Sequence, residues 1–400
     1  MKGECQINKG ALWCGRILVA GTLVLMLLTA GIVHAKSFKF AVICDTRSDN
    51  KDTAVNTAAV TAICKNLKKR GAKFVLAPGD FFTGSAHILK SKDDLNNQYQ
   101  KFIKAVLDGG ISLPPFSEAK NPAINKGKVF LYPVRGNHES YYLMPIKLAS
   151  KKPHFLTRKN VKKAWIDNIG KYLPQNGPDS EQGFTYSFIF NNSLFIGLDQ
   201  YIHTDPTTQK GIANNLGWLK QQLQLSEDIE HVFVFGHTPA FAAQHSDCLA
   251  QHPYNRDEFL RLIKQNKGGI YFCGHDHFYA RAKVPVYNQN HTERIGHIQQ
   301  IITPSGAPFL ENTDSKPKWS GEYNDPNVES QSYIDEVMGY QLITVGDDTA
   351  GGDENRITVQ FVATKDGSTH TKDDKGVYKY TYGDNGDKWK FEVMDSFVIP

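Results

Sequence analysis

The sequence predicts an α/β fold with two packed sheets and helices on their outer faces. Three observations lead there. Strand-like apolar runs alternate with helix-period segments as far as residue 277. Strand-rich sequence follows. Several of the early strands stop at residue types that bind metals: Asp45, Asp80, Asn137, His237, and the pair His275 and His277.

The elements can be justified in order. Phe38, Phe40, Val42 and Cys44 alternate and stop at Asp45, which reads as a strand ending in a polar loop. Val55, Ala59, Ile63 and Leu67 recur at helical spacing, and Lys68, Lys69 and Arg70 before Gly71 mark the helix end. "AKFVLAPGD" is the next strand, ending at Asp80, and completes a βαβ unit. A longer connection, 84–127, carries a helix face of Leu95, Tyr99, Phe102, Ile103 and Val106 and then a Pro- and Gly-rich loop. "KVFLYPVRGNHE" stops at Asn137, His138 and Glu139. "FTYSFIFNNSLFIGLDQ" reads as two strands around a turn at Asn191 and Asn192. "LGWLKQQLQL" and "NRDEFLRLIKQN" are helices, "EHVFVFGHTPAF" is a strand stopping at His237, and "GIYFCGHDH" is a strand ending in the histidine pair. "HIQQIITPSG", "GYQLITV" and a β-rich part at 346–400 complete the chain, and 311–330 reads as a polar loop.

With 40% hydrophobic and 22% charged residues, the 400-residue chain can bury a large core. A formal charge of +5 is too mild to argue for nucleic-acid binding. Lys2, Lys9 and Arg16 precede residues 17–35, which contain no Lys, Arg, Asp or Glu and end in Val33, His34 and Ala35. Residues 1–35 are therefore expected to be a cleaved signal peptide, with 36–400 the functional domain in a periplasmic or secreted setting. The alternative is an uncleaved anchor, the one route to a membrane here. Cys44, Cys64, Cys248 and Cys273 remain after cleavage. Export would permit disulfides among them, while Cys44 and Cys273 also read as small buried hydrophobes.

Parallel strands bring their carboxyl ends together, so ligands at the ends of strands in one α/β sheet converge at its edge. Two histidines at i and i+2 on a loop can reach two neighbouring metal ions, and the two oxygens of Asp80 could bridge them. Mixed O and N ligands suit Fe, Mn or Zn better than Ca or Mg. Two such ions act as Lewis acids and lower the pKa of a bridging water toward neutrality, which makes it a nucleophile. No GxSxG motif or P-loop supplies a rival nucleophile or phosphate cradle.

Taken singly, Asp80 is equally a helix cap, Asn137 a turn residue and His237 a loop histidine. Their order is what is specific. "GD" at 79–80, "GNHE" at 136–139, "GH" at 236–237 and "GHDH" at 274–277 resemble the calcineurin-like metallophosphoesterase family over about residues 38–346, with wording nearest its purple acid phosphatase branch. The resemblance implies a four-layer αββα sandwich with two central mixed sheets. It implies one metal held by Asp45, Asp80 and His277, and a second held by Asp80, Asn137, His237 and His275. It also implies that His138 is a catalytic and substrate-binding group. His87, His203, His245 and His252 match no motif and read as surface or loop histidines. Asp276 reads as pointing away from the metals, with a role in orienting an imidazole as the alternative.

Two features depart from the pattern. Arg47 stands where most of the family has a histidine, and Thr83 where the purple branch has a tyrosine. The first metal is therefore expected to bind weakly, with Arg47 as a catalytic and substrate-binding cation that grips a phosphate oxygen. Seven Lys or Arg and no Asp or Glu between 147 and 163 make either a solvated helix face or a basic rim for phosphorylated substrates. The function expected is an exported, acid phosphatase-like phosphoesterase acting on phosphate mono- or diesters of small molecules or nucleotides. The alternative is a binding or scaffold protein on the same fold, with a weakened first site.

Overall fold

Two mixed sheets pack face to face with helices outside, the αββα arrangement expected. The structure, a computed structural model, describes residues 37–48, 54–84, 91–115, 127–140, 157–202, 215–224, 229–306, 326–346, 353, 355–366, 368–372, 378–382 and 386–399. The signal segment 1–35, His87, His203, residues 147–156 of the basic stretch and much of the polar loop 311–330 lie outside them.

The first sheet has six strands: β1 (Phe38–Val42), β2 (Phe74–Ala77), β3 (Phe130–Pro133), β11 (Met338–Val345), β12 (Ile357–Thr364) and β15 (Glu392–Ile399), in the order β15-β12-β11-β1-β2-β3. β1, β2 and β3 run parallel, and β11 adds antiparallel beside β1. The second sheet holds β4 (Tyr186–Phe190), β5 (Ser193–Gly197), β6 (His231–Phe235), β7 (Gly268–Cys273), β8 (Tyr279–Tyr287), β9 (Arg294–Ile302) and β10 (Glu329–Ile334), in the order β10-β8-β9-β7-β6-β5-β4. Here β5, β6, β7 and β9 are parallel. A separate hairpin joins β13 (Ser368–Lys372) to β14 (Tyr378–Tyr382).

Aromatic side chains fill the space between the sheets. Phe40 of β1 meets Phe195 of β5 and Phe233 of β6 edge to face, with ring centroids 5.1 and 5.0 Å apart. Such pairs contribute about 0.5–1.5 kcal/mol each beyond the area they bury. Helix α1 (Thr57–Lys69) buries Val60, Ile63 and Leu67 in the core of the first sheet, beside α2 (Lys92–Asp108). Asn56 caps α1 by accepting the Ala59 N–H. The short α3 (Asn137–Ser140) and α4 (Arg158–Asn168) follow β3. On the far face of the second sheet, α5 (Leu216–Gln224) and α6 (Pro253–Gln265) pack Leu219, Leu223, Phe259 and Ile263 against Val234 and Tyr271.

Three strands escape the periodicity argument. β8 contains Pro285, a residue that argues against a strand interior, yet it pairs along its length with β9. β10 and β13 are made largely of polar residues, and β10 is exposed at Glu329, Ser330 and Gln331. The strands that deliver candidate ligands also belong to two sheets rather than one. β1, β2 and β3 lead to Asp45, Asp80 and Asn137, whereas β6 and β7 lead to His237 and the histidine pair. The four described cysteines are free and buried. The thiols of Cys44 and Cys273 are raised by burial, so both behave as apolar core groups.

Candidate metal centre

The six strand-end residues meet. Asp80, His237 and His275 form one buried cluster, and Asp45, Asp80 and His277 another, each with donor atoms within 4.8 Å of one another. Asp80 belongs to both. Four of the six hold left-handed backbone: Asp45 (φ 52°), Asp80 (57°), His275 (78°) and His277 (55°). Strained φ at several non-glycine residues in one place is what functional sites store and their surroundings hold in place.

Backbone contacts tie the ligand loops together within each sheet, and the Gly306 amide, donating to Asp45 O at 3.0 Å, joins the loop after β9 to the loop after β1. The Asp45 amide donates to Gly79 O at 3.1 Å, and the Gly274 amide donates to His237 O at 2.9 Å. A Cβ on Gly274 would collide with Cys44 Sγ and the Asp45 carboxylate, and one on Gly136 would collide with Asp80 Oδ1. These glycines permit the close approach that puts ligands from neighbouring strands in contact. Glu139 ties the loops together, accepting the amides of Asp80, Phe81 and Gly136, each at 2.8 Å. Burial and the Asp80 charge push its carboxyl up to about 7, against those amide donors. Behind Gly136, Arg135 forms a buried two-pronged ion pair with Asp199 at 2.6 and 3.1 Å, linking the end of β3 to that of β5.

Partners outside the clusters fix the histidine tautomers. His237 Nδ1 lies 2.8 Å from Pro78 O, a pure acceptor, so Nδ1 carries the proton. Nε2 then presents its lone pair, 2.9 Å from Asn137 Oδ1 and 3.3 Å from Asp80 Oδ2. His275 Nε2 lies 2.8 Å from Asp247 Oδ1, which leaves Nδ1 facing Asn137 Oδ1 at 3.2 Å. Lone pairs of two imidazoles, an amide oxygen and a carboxylate therefore point at a common region. Acceptors facing acceptors repel unless a cation lies among them. Burial opposes charging His237, but the Asp80 carboxylate overrides it and raises this imidazole to about 9, so without a metal a proton on Nε2 takes the place a cation would fill among these acceptors. Asp45 Oδ2 accepts the His275 amide at 2.9 Å, while buried Asp45 Oδ1 has no hydrogen-bond partner among the described residues and lies 3.4 Å from His277 Nε2. The donor set thus fits metal ions of the Fe, Mn or Zn kind.

His138 stands beside the clusters. Its Nδ1 accepts the Gly84 amide at 3.2 Å, so the proton sits on Nε2, 3.6 Å from Asp80 Oδ2. Burial lowers its pKa to about 3, so the ring is neutral. The Arg47 guanidinium, expected to grip a phosphate oxygen, is bonded here to a candidate ligand. Its Nε and Nη2 are 3.2 and 3.0 Å from His277 Nε2. Burial, followed by that guanidinium, lowers His277 to about 4.

His245, expected to be an ordinary surface or loop histidine, belongs to the site. Its ring centroid is 4.8 Å from that of His275 and 6.2 Å from that of His277. Asp276 points away from the clusters and orients it, with Oδ1 2.7 Å from His245 Nδ1. Asp247 also went unrecognised in the sequence. The available signal is "HSD" at 245–247, a histidine and a carboxylate two apart shortly after a ligand-bearing strand end. His252 ends up at the start of α6, as a loop histidine.

The family model described as Calcineurin-like phosphoesterase matches residues 38–279. Tartrate-resistant acid phosphatase type 5 of Sus scrofa is 26% identical over 234 residues, 56% of this chain and 58% of that protein, so the chain spans little more than half the length of this relative. Among solved structures, PhoD aligns with a TM-score of 0.58 at 13% identity, over 90% of this chain and 69% of that one. Purple acid phosphatase PPD1 from yellow lupin (Lupinus luteus) seeds aligns with a TM-score of 0.51 at 12% identity, over 91% and 54%. At those identities the two structural likenesses speak for the fold alone.

Proposed function

This chain belongs to the calcineurin-like phosphoesterase family, and from that premise we propose that it is an exported, metal-dependent phosphoesterase acting on phosphorylated small molecules or nucleotides. The observation that carries the reading is the convergence of His237 Nε2, His275 Nδ1, Asn137 Oδ1 and Asp80 Oδ2, with both imidazole tautomers fixed from behind. Asp80, Asn137, His237 and His275 would hold one metal ion, and Asp45, Asp80 and His277 are the ligands offered to a second. Metal bound there would supply Lewis acidity toward a phosphoryl oxygen and activation of water.

The remaining work falls to the chain itself. His138 presents Nε2–H beside Asp80, where it can donate to a phosphoryl oxygen or to the leaving group. His245 is locked through Nδ1 by Asp276, so proton exchange with the substrate falls to Nε2. Asp247 keeps the His275 ring in the tautomer whose Nδ1 lone pair faces the cluster. The fixed charge of Arg47 adds attraction for phosphate. Monoesters, diesters and pyrophosphate links all suit this chemistry.

A binding or scaffold role has one observation in its favour, the guanidinium on a candidate ligand, His277. Metal analysis of the mature protein and a panel of aryl monoesters, diesters and nucleotides separates the two. Metal-dependent hydrolysis that His275→Ala abolishes supports the enzyme. Metal without turnover on any substrate supports the scaffold.

A further inference from the structure

The Arg47–His277 contact bears on how many ions the centre holds, and the inference rests on the metallophosphoesterase reading above. An imidazole nitrogen has one lone pair. His277 Nε2 is 3.0 and 3.2 Å from two donors of Arg47 and 3.4 Å from Asp45 Oδ1. Nη2 is also 3.4 Å from Nδ1, so the guanidinium lies against both ring nitrogens, and its donors and its fixed charge compete with any ion for His277. We propose that Arg47 is the built-in second cation of this centre: the protein binds one metal ion tightly, at Asp80, Asn137, His237 and His275, and a second only when Arg47 leaves His277.

The loop that carries Arg47 is anchored on both sides. Residue 47 bridges antiparallel to Val55, the Asn56 amide donates to Thr46 O and the Ser48 amide donates to Ala54 O. The flanking side chains, Thr46 and Ser48, are buried, with Thr46 Oγ1 bonded to Phe81 O. Alternation along this extended segment turns Arg47 toward the site. Asp45 and Asp80 are buried carboxylates that need compensation. A divalent ion plus a guanidinium already outweighs them, and another divalent ion would have to enter beside a fixed positive charge. Guanidinium cannot be titrated away, so the competition persists at any working pH.

The test is a titration of the metal-free mature chain with Mn(II), followed by electron paramagnetic resonance. Wild type is expected to take one equivalent tightly and give the spectrum of an isolated Mn(II). Arg47→Ala and Arg47→Gln are expected to bind a second equivalent at least about tenfold more tightly than wild type does, with an exchange-coupled spectrum. Adding His277→Ala to Arg47→Ala should remove that second site. Melting curves of each variant confirm folding. Two comparable tight ions in wild type, or a single ion in both Arg47 variants, overturns this inference and leaves the phosphoesterase reading standing. A folded wild type that binds no Mn(II) overturns both.

Discussion

Asp276 holds His245 by two bonds, with Oδ1 accepting both its Nδ1–H, at 2.7 Å, and its backbone amide, at 3.0 Å. Its Oδ2 accepts the amides of Ala243 and Gln244 at 3.2 Å. The middle residue of "GHDH" thus serves the loop after β6 rather than the metals. Asp276→Asn should keep the metal but lower kcat about 10–100-fold, the usual cost of losing such an orienting partner. His245→Ala should lower kcat at least as much, and the double variant should be no worse than His245→Ala. Additive losses in that cycle would show that the two residues act separately.

His237→Ala and His275→Ala should each lose bound metal and all hydrolysis, because each removes a lone pair aimed at the cluster. His138→Ala should retain metal and lose about 10²–10⁴ in turnover, the range for a proton donor. Metal content by elemental analysis beside kcat distinguishes these roles. Loss of metal in His138→Ala equal to that in His275→Ala would show that His138 is a ligand.

Arg47→Ala, assayed with one equivalent of metal, should lower kcat/KM by about 10²–10³, as for loss of one preorganised donor. Excess metal should restore part of that loss by filling the site at Asp45, Asp80 and His277. Arg47→His should bind the additional ion more tightly still, because it adds an imidazole two residues from Asp45. Wild-type kinetics and unchanged stoichiometry in Arg47→Ala would make Arg47 an ordinary surface residue.

Asp199→Ala should destabilise the fold by about 3–5 kcal/mol, because it leaves the buried Arg135 charge without its partner. The ion pair sits directly behind Gly136 and Asn137, so metal affinity should fall as well. Denaturant unfolding and metal titration together check this. A loss of stability with unchanged affinity would confine the pair to a structural role.

The mature chain should begin near Lys36 and be recovered outside the cytoplasm, given the charged start, the apolar stretch 17–35 and the small residues at 33 and 35. N-terminal sequencing of the exported protein decides it. An intact Met1 would favour the anchor.

The sequence by itself determined the βαβ beginning, the strands that stop at Asp45, Asp80, Asn137, His237 and His275, and the order of motifs that marks the family. Each is local: period-2 and period-3.6 patterns and the residues just past a strand end are written within a few positions of one another. The tertiary structure alone decided which sheet each strand joins, which nitrogen of each histidine faces the cluster, that His245 and Asp247 belong to the site, and that Arg47 donates to His277. His237 takes its tautomer from Pro78, 159 positions away, and Arg47 reaches its partner across 230 positions. A hydrogen bond depends on two atoms coming within about 3 Å in a given direction, and periodicity along the chain carries no information about which distant atom that will be.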